Sequence, residues 1–290
     1  MKVINNPILL SDIIKHRMMD IQKEIELKTL EILKEEAESY NKSNLKSDSR
    51  SSDGKATNNF RQSLDIGQDV AVIYEFKPAS PSMGDISSSS LEDALEVFEE
   101  SGASAVSILT EERYFKGSLG NIKSAYNITK LPIIRKDFII NDYQIYQAKM
   151  AGASAVLLMS GIYPDIFEGV SLCKELELDP VVECRNKNEI FSALKAGADI
   201  VGINNRDFQN FKVDLKTTEK LAGYVPQEVL LISESGIRSP EDALKLSKFG
   251  VDALLIGTSI MGEKGKFGML NAATSIIDAV KGLRIVRDES

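Results

Sequence analysis

The chain has 290 residues, 43% of them hydrophobic and 27% charged, the balance of an ordinary globular protein. A formal net charge of -8 excludes the basic surface that general nucleic-acid binding needs, and no apolar run approaches the roughly 18 residues that span a bilayer. One histidine, His16, and two cysteines without CxxC spacing, Cys173 and Cys184, disfavour zinc and Ser-His-Asp chemistry.

In chain order, the start lacks a small-residue cleavage site and carries acids at once, so it reads as neither secretion signal nor transit peptide. With two cysteines read as buried reduced thiols, this implies a cytoplasmic protein. Residues 11–39 predict one charged amphipathic helix, with His16 exposed on its surface and Ile13, Ile14, Met18, Ile21, Ile25, Leu27, Leu30 and Leu33 on a broken apolar face. Residues 40–58, YNKSNLKSDSRSSDGKATN, are polar and Ser/Asn-rich and predict a loop. The chain thus divides into a helical extension with a Ser-rich linker over 1–69 and a barrel over 70–290.

From Val70 onward, β-branched runs alternate with helix-length segments. The runs occupy 71–76, 105–110, 132–138, 155–159, 180–185, 200–205, 229–235 and 253–259, and predict a parallel sheet of βα units. SGASAV from Ser101, AGASAV from Ala151, AGADIV from Ala196 and FGVDAL from Phe249 repeat one design. In each, a helix ends on glycine (Gly102, Gly152, Gly197, Gly250) in the left-handed position that terminates helices, and a strand begins. Four such units of about fifty residues, each with two strands, predict the α/β class and a single closed (β/α)8 TIM barrel with an N-terminal helical extension. An open doubly wound sheet lacks its GxGxxG after the first strand.

Buried parallel strands should be apolar throughout. Here the first ends in Glu75 and Lys77, the third in Lys136, the fifth in Glu183, the sixth in Asn204 and Arg206, and the seventh in Glu234. One polar strand end usually marks only a loop boundary. Five strands breaking the rule at the same end bring acids and cations to one barrel mouth, where catalytic residues sit. SESGI (233–237) and IGTSIM (256–261) follow the last two strands, where barrels bind phosphate through backbone N–H groups. Gly236 and Gly257 would admit an anion closely, and Ser235 and Thr258 would supply hydroxyl donors.

At these residues the chain resembles the indole-3-glycerol-phosphate synthase family of tryptophan biosynthesis. The resemblance is carried by YEFKPASPSMGDI (74–86), LPIIRKDFIINDYQIYQAKMAGASAVLLM (131–159), VVECRNKNEI (181–190), GINNRDF (202–208) and SESGI (233–237), with FRQSL (60–64) ahead of the barrel. It implies a lyase that closes, decarboxylates and dehydrates 1-(o-carboxyphenylamino)-1-deoxyribulose 5-phosphate, with no organic cofactor and no metal. It also implies a phosphorylated small molecule as partner, no nucleic acid or membrane, and a monomer or weak homodimer. Departures from the family pattern are Met83 after SPS, where a cation is common, SGIYPD after the fourth strand, and the Ser-rich stretch 40–58.

Carried over by motif, the resemblance makes Lys136 the general acid toward the ketose carbonyl. Glu183 becomes the general base or the stabiliser of a cationic nitrogen, and Glu75 the aid to dehydration. Lys77 would meet the substrate carboxylate, Asn204 its hydroxyls, and Glu234 and Arg206 would complete and order the ionic network. Ser80, Ser235, Gly236, Gly257 and Thr258 resemble the phosphate site, and Phe138 and Phe208 would pack on the aromatic ring. Lys77 and partial burial would lower the Lys136 pKa while Glu183 opposes them, a balance the sequence leaves open. A different phosphosugar barrel or a flavin barrel would share the phosphate end but not the set Glu75, Lys77, Lys136 and Glu183. A silent barrel whose first helix docks a partner is the reading from another class; otherwise that helix packs on the barrel or covers its mouth.

Overall fold

Each of the eight β-branched runs forms a strand in the computed structural model, which describes residues 10–47, 59–207 and 212–287. We label them β1 (Ala71–Phe76), β2 (Ala105–Leu109), β3 (Ile133–Lys136), β4 (Ala155–Met159), β5 (Asp179–Cys184), β6 (Ile200–Asn204), β7 (Leu230–Glu234) and β8 (Ala253–Ile256). All pair in parallel in chain order, and β8 returns to β1 to close the barrel. The expected TIM barrel is therefore the architecture. The glycine signal also holds: Gly102, Gly152, Gly197 and Gly250 have φ of 89°, 92°, 79° and 71°.

Helices α1 (Leu10–Leu27), α2 (Leu30–Ser47) and α3 (Phe60–Leu64) precede the barrel. Around it run α4 (Leu91–Ser101), α5 (Leu119–Ile128), α6 (Asp142–Ala151), α7 (Ile166–Glu175), α8 (Lys187–Lys195), α9 (Lys216–Leu221), α10 (Pro240–Ser247), α11 (Thr258–Met261) and α12 (Gly265–Val280). Ser90, Asn141, Asp165, Asn186 and Ser239 cap α4, α6, α7, α8 and α10, each side chain accepting a first-turn N–H that the helix cannot satisfy itself.

Side-chain alternation sorts the strands into two cores. Val72, Tyr74, Val106, Ile108, Val182 and Leu254 face outward onto the helices. Ala71, Ile73, Ala105, Ile134, Leu157, Val181, Ile200, Leu230, Ile232 and Leu255 fill the barrel, and Phe60 and Leu64 of α3 join this inner cluster fully buried. Because the inner residues alternate with period two, the next inward positions above this layer are Glu75, Lys136, Glu183 and Glu234.

Three expectations about the N-terminal part need correction. Residues 11–39 form two helices: the chain breaks at Lys28 and Thr29, where the Thr29 hydroxyl accepts the Ile32 N–H (3.4 Å) and starts α2. The polar stretch expected as loop from residue 40 is helical as far as Ser47, because residues 40–47 contain neither proline nor glycine and continue a helix already anchored by Leu33 and Ala37. Residues 48–58 lie outside the described residues. His16 is half-buried rather than exposed, its Nδ1 2.6 Å from the Tyr114 hydroxyl.

Candidate active site

At the C-terminal ends of the strands a cavity of about 510 Å³ opens, lined at its base by Glu75, Lys77, Lys136, Glu183 and Asn204. Lys136 donates to Glu234 Oε2 at 2.7 Å and lies 3.4 Å from Glu183 Oε2. Lys77 donates to Glu75 Oε1 at 2.6 Å. All three carboxylates are buried, and Glu75 Oε2, Glu183 Oε1 and Glu234 Oε1 have no hydrogen-bond partner. Buried polar atoms are normally paired, so unpaired oxygens gathered around Lys136 and Lys77 single this cluster out as the candidate place for a ligand's donors.

Two glycines make room for these acids. A Cβ on Gly257 would stand 2.5 Å from Glu75 Oε1, and one on Gly202 would stand 2.6 Å from Glu234 Oε1. Gly257 thus has a packing reason to be glycine in addition to any ligand at the backbone.

The electrostatics settle the balance left open by sequence. Burial works to lower the Lys136 pKa, but the carboxylates of Glu234, Glu183 and Glu75 outweigh it and hold the ammonium well above the usual lysine range. Lys77 is engaged with Glu75, and burial and the three carboxylates are the main influences on Lys136. Burial pushes Glu234 up to about 7, against the pull of Lys136. Arg206 is lowered by burial, an effect opposed by Glu75 and reinforced by Arg238.

One wall of the cavity is apolar: Leu109, Phe115, Phe138, Leu157 and Met159. Phe115 and Phe138 tilt against each other with centroids 6.1 Å apart. The loop bearing Phe115 is tied by buried Glu111, which accepts the N–H groups of Arg113, Tyr114 and Phe115 at 3.0, 2.8 and 3.1 Å. The opposite end presents Ser235, Gly236, Gly257, Thr258 and Ser259, with Arg206 and Arg238 beside them. Ser80 reaches the same cavity from the loop after β1, within 3.5 Å of Ser82. Asn204 turns its Oδ1 back to accept the Arg206 N–H at 2.9 Å.

Every sequence-expected residue except Phe208, which lies outside the described residues, contributes to this mouth. Sequence reasoning missed Leu109, Leu157 and Met159, which read as ordinary strand residues. Phe115 carried a usable signal, one of an aromatic pair with Tyr114 between Arg113 and Lys116 in a connecting loop. Also missed was the support behind Lys136. Arg135 and Asp137 point outward where Lys136 points inward, and Asp137 Oδ2 accepts from Arg135 (3.0 Å), Thr110 (2.7 Å) and Arg17 of α1 (2.8 Å). Among the described residues no group of three or more His, Cys, Asp or Glu could hold a metal ion, and no helix is long and apolar enough to cross a membrane.

A closed parallel barrel with a buried ionic cluster, an apolar wall and a half-buried backbone turn lining the cavity at its C-terminal mouth defines a (β/α)8-barrel enzyme. Residues 21–268 match the family model described as indole-3-glycerol phosphate synthase. An indole-3-glycerol phosphate synthase of Methanothermobacter marburgensis is 42% identical over 253 residues, covering 87% of this chain and 86% of that one. One of Caldanaerobacter subterraneus subsp. tengcongensis is 48% identical over 204 residues, covering 70% and 79%. The chain belongs to the indole-3-glycerol phosphate synthase family. Among solved structures, a tryptophan synthase alpha chain from Legionella pneumophila (TM-score 0.57, 13% identity, 78% of this chain and 98% of that one) shares the fold. So does a thiamine phosphate pyrophosphorylase from Pyrococcus furiosus (0.57, 17%, 74% and 97%).

Proposed function

We propose that this chain converts 1-(o-carboxyphenylamino)-1-deoxyribulose 5-phosphate to indole-3-glycerol phosphate, carbon dioxide and water, with Lys136 as the general acid. The observation that carries the assignment is the placement of the Lys136 ammonium inside the cavity between Glu234 and Glu183. The aromatic ring would lie on the Phe115–Phe138 wall and the phosphate on the turn at Ser235 and Gly236, which places the ketose carbonyl over the ionic cluster.

The ring carbon bearing the carboxylate attacks the carbonyl carbon, forming the new C–C bond, and Lys136 donates its proton to the carbonyl oxygen. Positioned proton donation of this kind contributes about 10²–10⁴-fold. The electron pair of the ring-to-carboxylate bond then returns to the ring system as carbon dioxide leaves. Loss of the new hydroxyl as water takes a second proton, delivered with the help of Glu75 from Lys136 once a solvent proton has reloaded it, while Glu183 removes the proton from the adjacent carbon and so completes the indole. An elevated Lys136 pKa keeps the acid loaded at neutral pH, but it also opposes release of the proton. Protonation of Glu234, poised near neutrality, weakens that opposition by removing one of the flanking charges.

Lys77 would meet the substrate carboxylate and Asn204 its hydroxyls, while Ser80, Thr258 and Gly257 line the phosphate end. We read the chain as cytoplasmic, with Cys173 and Cys184 as buried free thiols whose burial pushes their pKa values up. Residues 1–69 are read as an extension of a barrel over 70–290, with α1 bearing on the mouth through Arg17 and Asp137. The test is turnover of the carboxyphenylamino-deoxyribulose phosphate followed by indole fluorescence. A folded protein that produced no fluorescent product would refute the reaction.

A further inference from the structure

Behind the turn that ends β7 lies a buried polar side chain that does not line the cavity. Asn205, 2% exposed, donates from Nδ2 to Ser233 Oγ (3.0 Å), Glu234 O (3.1 Å) and Ser235 O (3.2 Å). Its amide is oriented from the other side: the N–H and hydroxyl of Thr218 both reach Asn205 Oδ1, at 3.1 and 2.9 Å. The Ser233 and Thr218 hydroxyls close the ring at 2.7 Å.

In an extended strand successive carbonyls point to opposite sides. Here the carbonyls of Glu234 and Ser235 both turn toward Asn205, which the chain achieves by placing Ser235 at φ 69° and Gly236 at φ 88°. Ser235 is one of only a few non-glycine residues with positive φ among those described, a conformation that persists only where surroundings impose it. Across a trans peptide the N–H points opposite to the carbonyl. The N–H groups of Ser235 and Gly236 are therefore directed away from Asn205, on the side where both residues line the cavity. Consecutive N–H groups converging in this way make an anion-binding nest.

We infer that Asn205 is a positioning residue for the phosphate subsite, holding the turn in its strained form so that two backbone donors meet the phosphoryl oxygens. The inference rests on the proposed placement of the phosphate at this turn. It assigns Asn205 to ground-state binding of one end of the substrate, not to the chemistry at Lys136.

The experiment measures competitive inhibition by inorganic phosphate, together with KM and kcat, in the native protein, Asn205→Ala and Asn205→Ser, with binding of anthranilate as a phosphate-free probe of the other end. Loss of two oriented donors predicts that Asn205→Ala raises the inhibition constant and KM about tenfold while kcat changes less than about threefold. Asn205→Ser, which keeps a short donor behind the turn, should recover part of the loss, and anthranilate affinity should be unchanged in both. If inorganic phosphate does not compete in the native protein, the phosphate placement itself is wrong. If it competes equally in all three proteins, the placement stands and the role of Asn205 is refuted. Parallel weakening of phosphate and anthranilate, or loss of kcat with KM intact, would show a general structural effect and also overturn it.

Discussion

Buried charge appears at both ends of this barrel, and the two ends treat it oppositely. Below the sheet, Asp252 accepts from Arg284 (2.8 Å), Arg287 (2.6 Å) and the Leu231 N–H (2.7 Å). Arg287 in turn donates to the carbonyls of Val225 (3.1 Å), Pro226 (3.0 Å), Gly250 (2.6 Å) and Val229 (2.5 Å). At the mouth, three carboxylates each retain an unpartnered oxygen around a lysine. A saturated network holds a fold together and has no capacity for a ligand. An unsaturated one costs stability and keeps donors and acceptors available for reaction.

Lys136→Ala should show the largest effect, a fall in kcat of at least about a hundredfold while substrate still binds. Stopped-flow indole fluorescence with a separate binding measurement checks it, and near-normal kcat would remove Lys136 from its role. The matching change below the sheet, Arg287→Ala, takes the guanidinium donor from several carbonyls and leaves Asp252 Oδ2 with the Leu231 N–H alone, and should cost about 3–5 kcal/mol of stability. Its kcat at 25 °C, measured on the folded fraction, should be unaltered; a large fall would erase the division between the two ends.

Glu234→Gln sharpens the comparison through pH. Its carboxyl sits at about 7 in the fold against an ordinary 4.5, so the fold favours the protonated form. The stability this contributes is full below about pH 4.5 and is lost as pH rises toward about 7. Denaturant unfolding of Glu234→Gln should therefore be flatter with pH across that window than the native protein, and its kcat should lose the response to pH around 7, because the flank of Lys136 that gains and loses charge there is gone. Arg17→Ala should have the smallest effect, about 1–2 kcal/mol, because Asp137 keeps Arg135 and Thr110. Hydrogen exchange should localise the change to α1.

Much of the barrel was legible because periodicity and glycine placement are local. Gly102, Gly152, Gly197 and Gly250 announce their helix ends in the sequence, and their backbone angles agree. The ionic residues were legible as breaches of an apolar pattern. The break at Lys28 and Thr29 was not, since apolar residues recur on both sides of it (Ile25, Leu27, Leu30, Leu33) with no proline or glycine between, and neither was the helix beyond residue 40, whose polar composition hid the absence of a breaker as far as Ser47. Leu109, Leu157 and Met159 were invisible as cavity residues because an apolar side chain in a strand looks the same whether it faces a neighbour or an open space.

Sequence by itself determined the fold class, the eight strands and which residues gather at one mouth, because hydrogen-bonding period and side-chain alternation are written residue by residue. The tertiary structure decided what those residues do to one another. The upward shift of Lys136, the poise of Glu234 and the reach of Arg17 to Asp137 arise from distances between groups far apart in the chain. So does the hold of Asn205 and Thr218 on the turn at Ser235. Coulomb and desolvation energies depend on separation in space and on burial, and neither quantity exists until the barrel has closed.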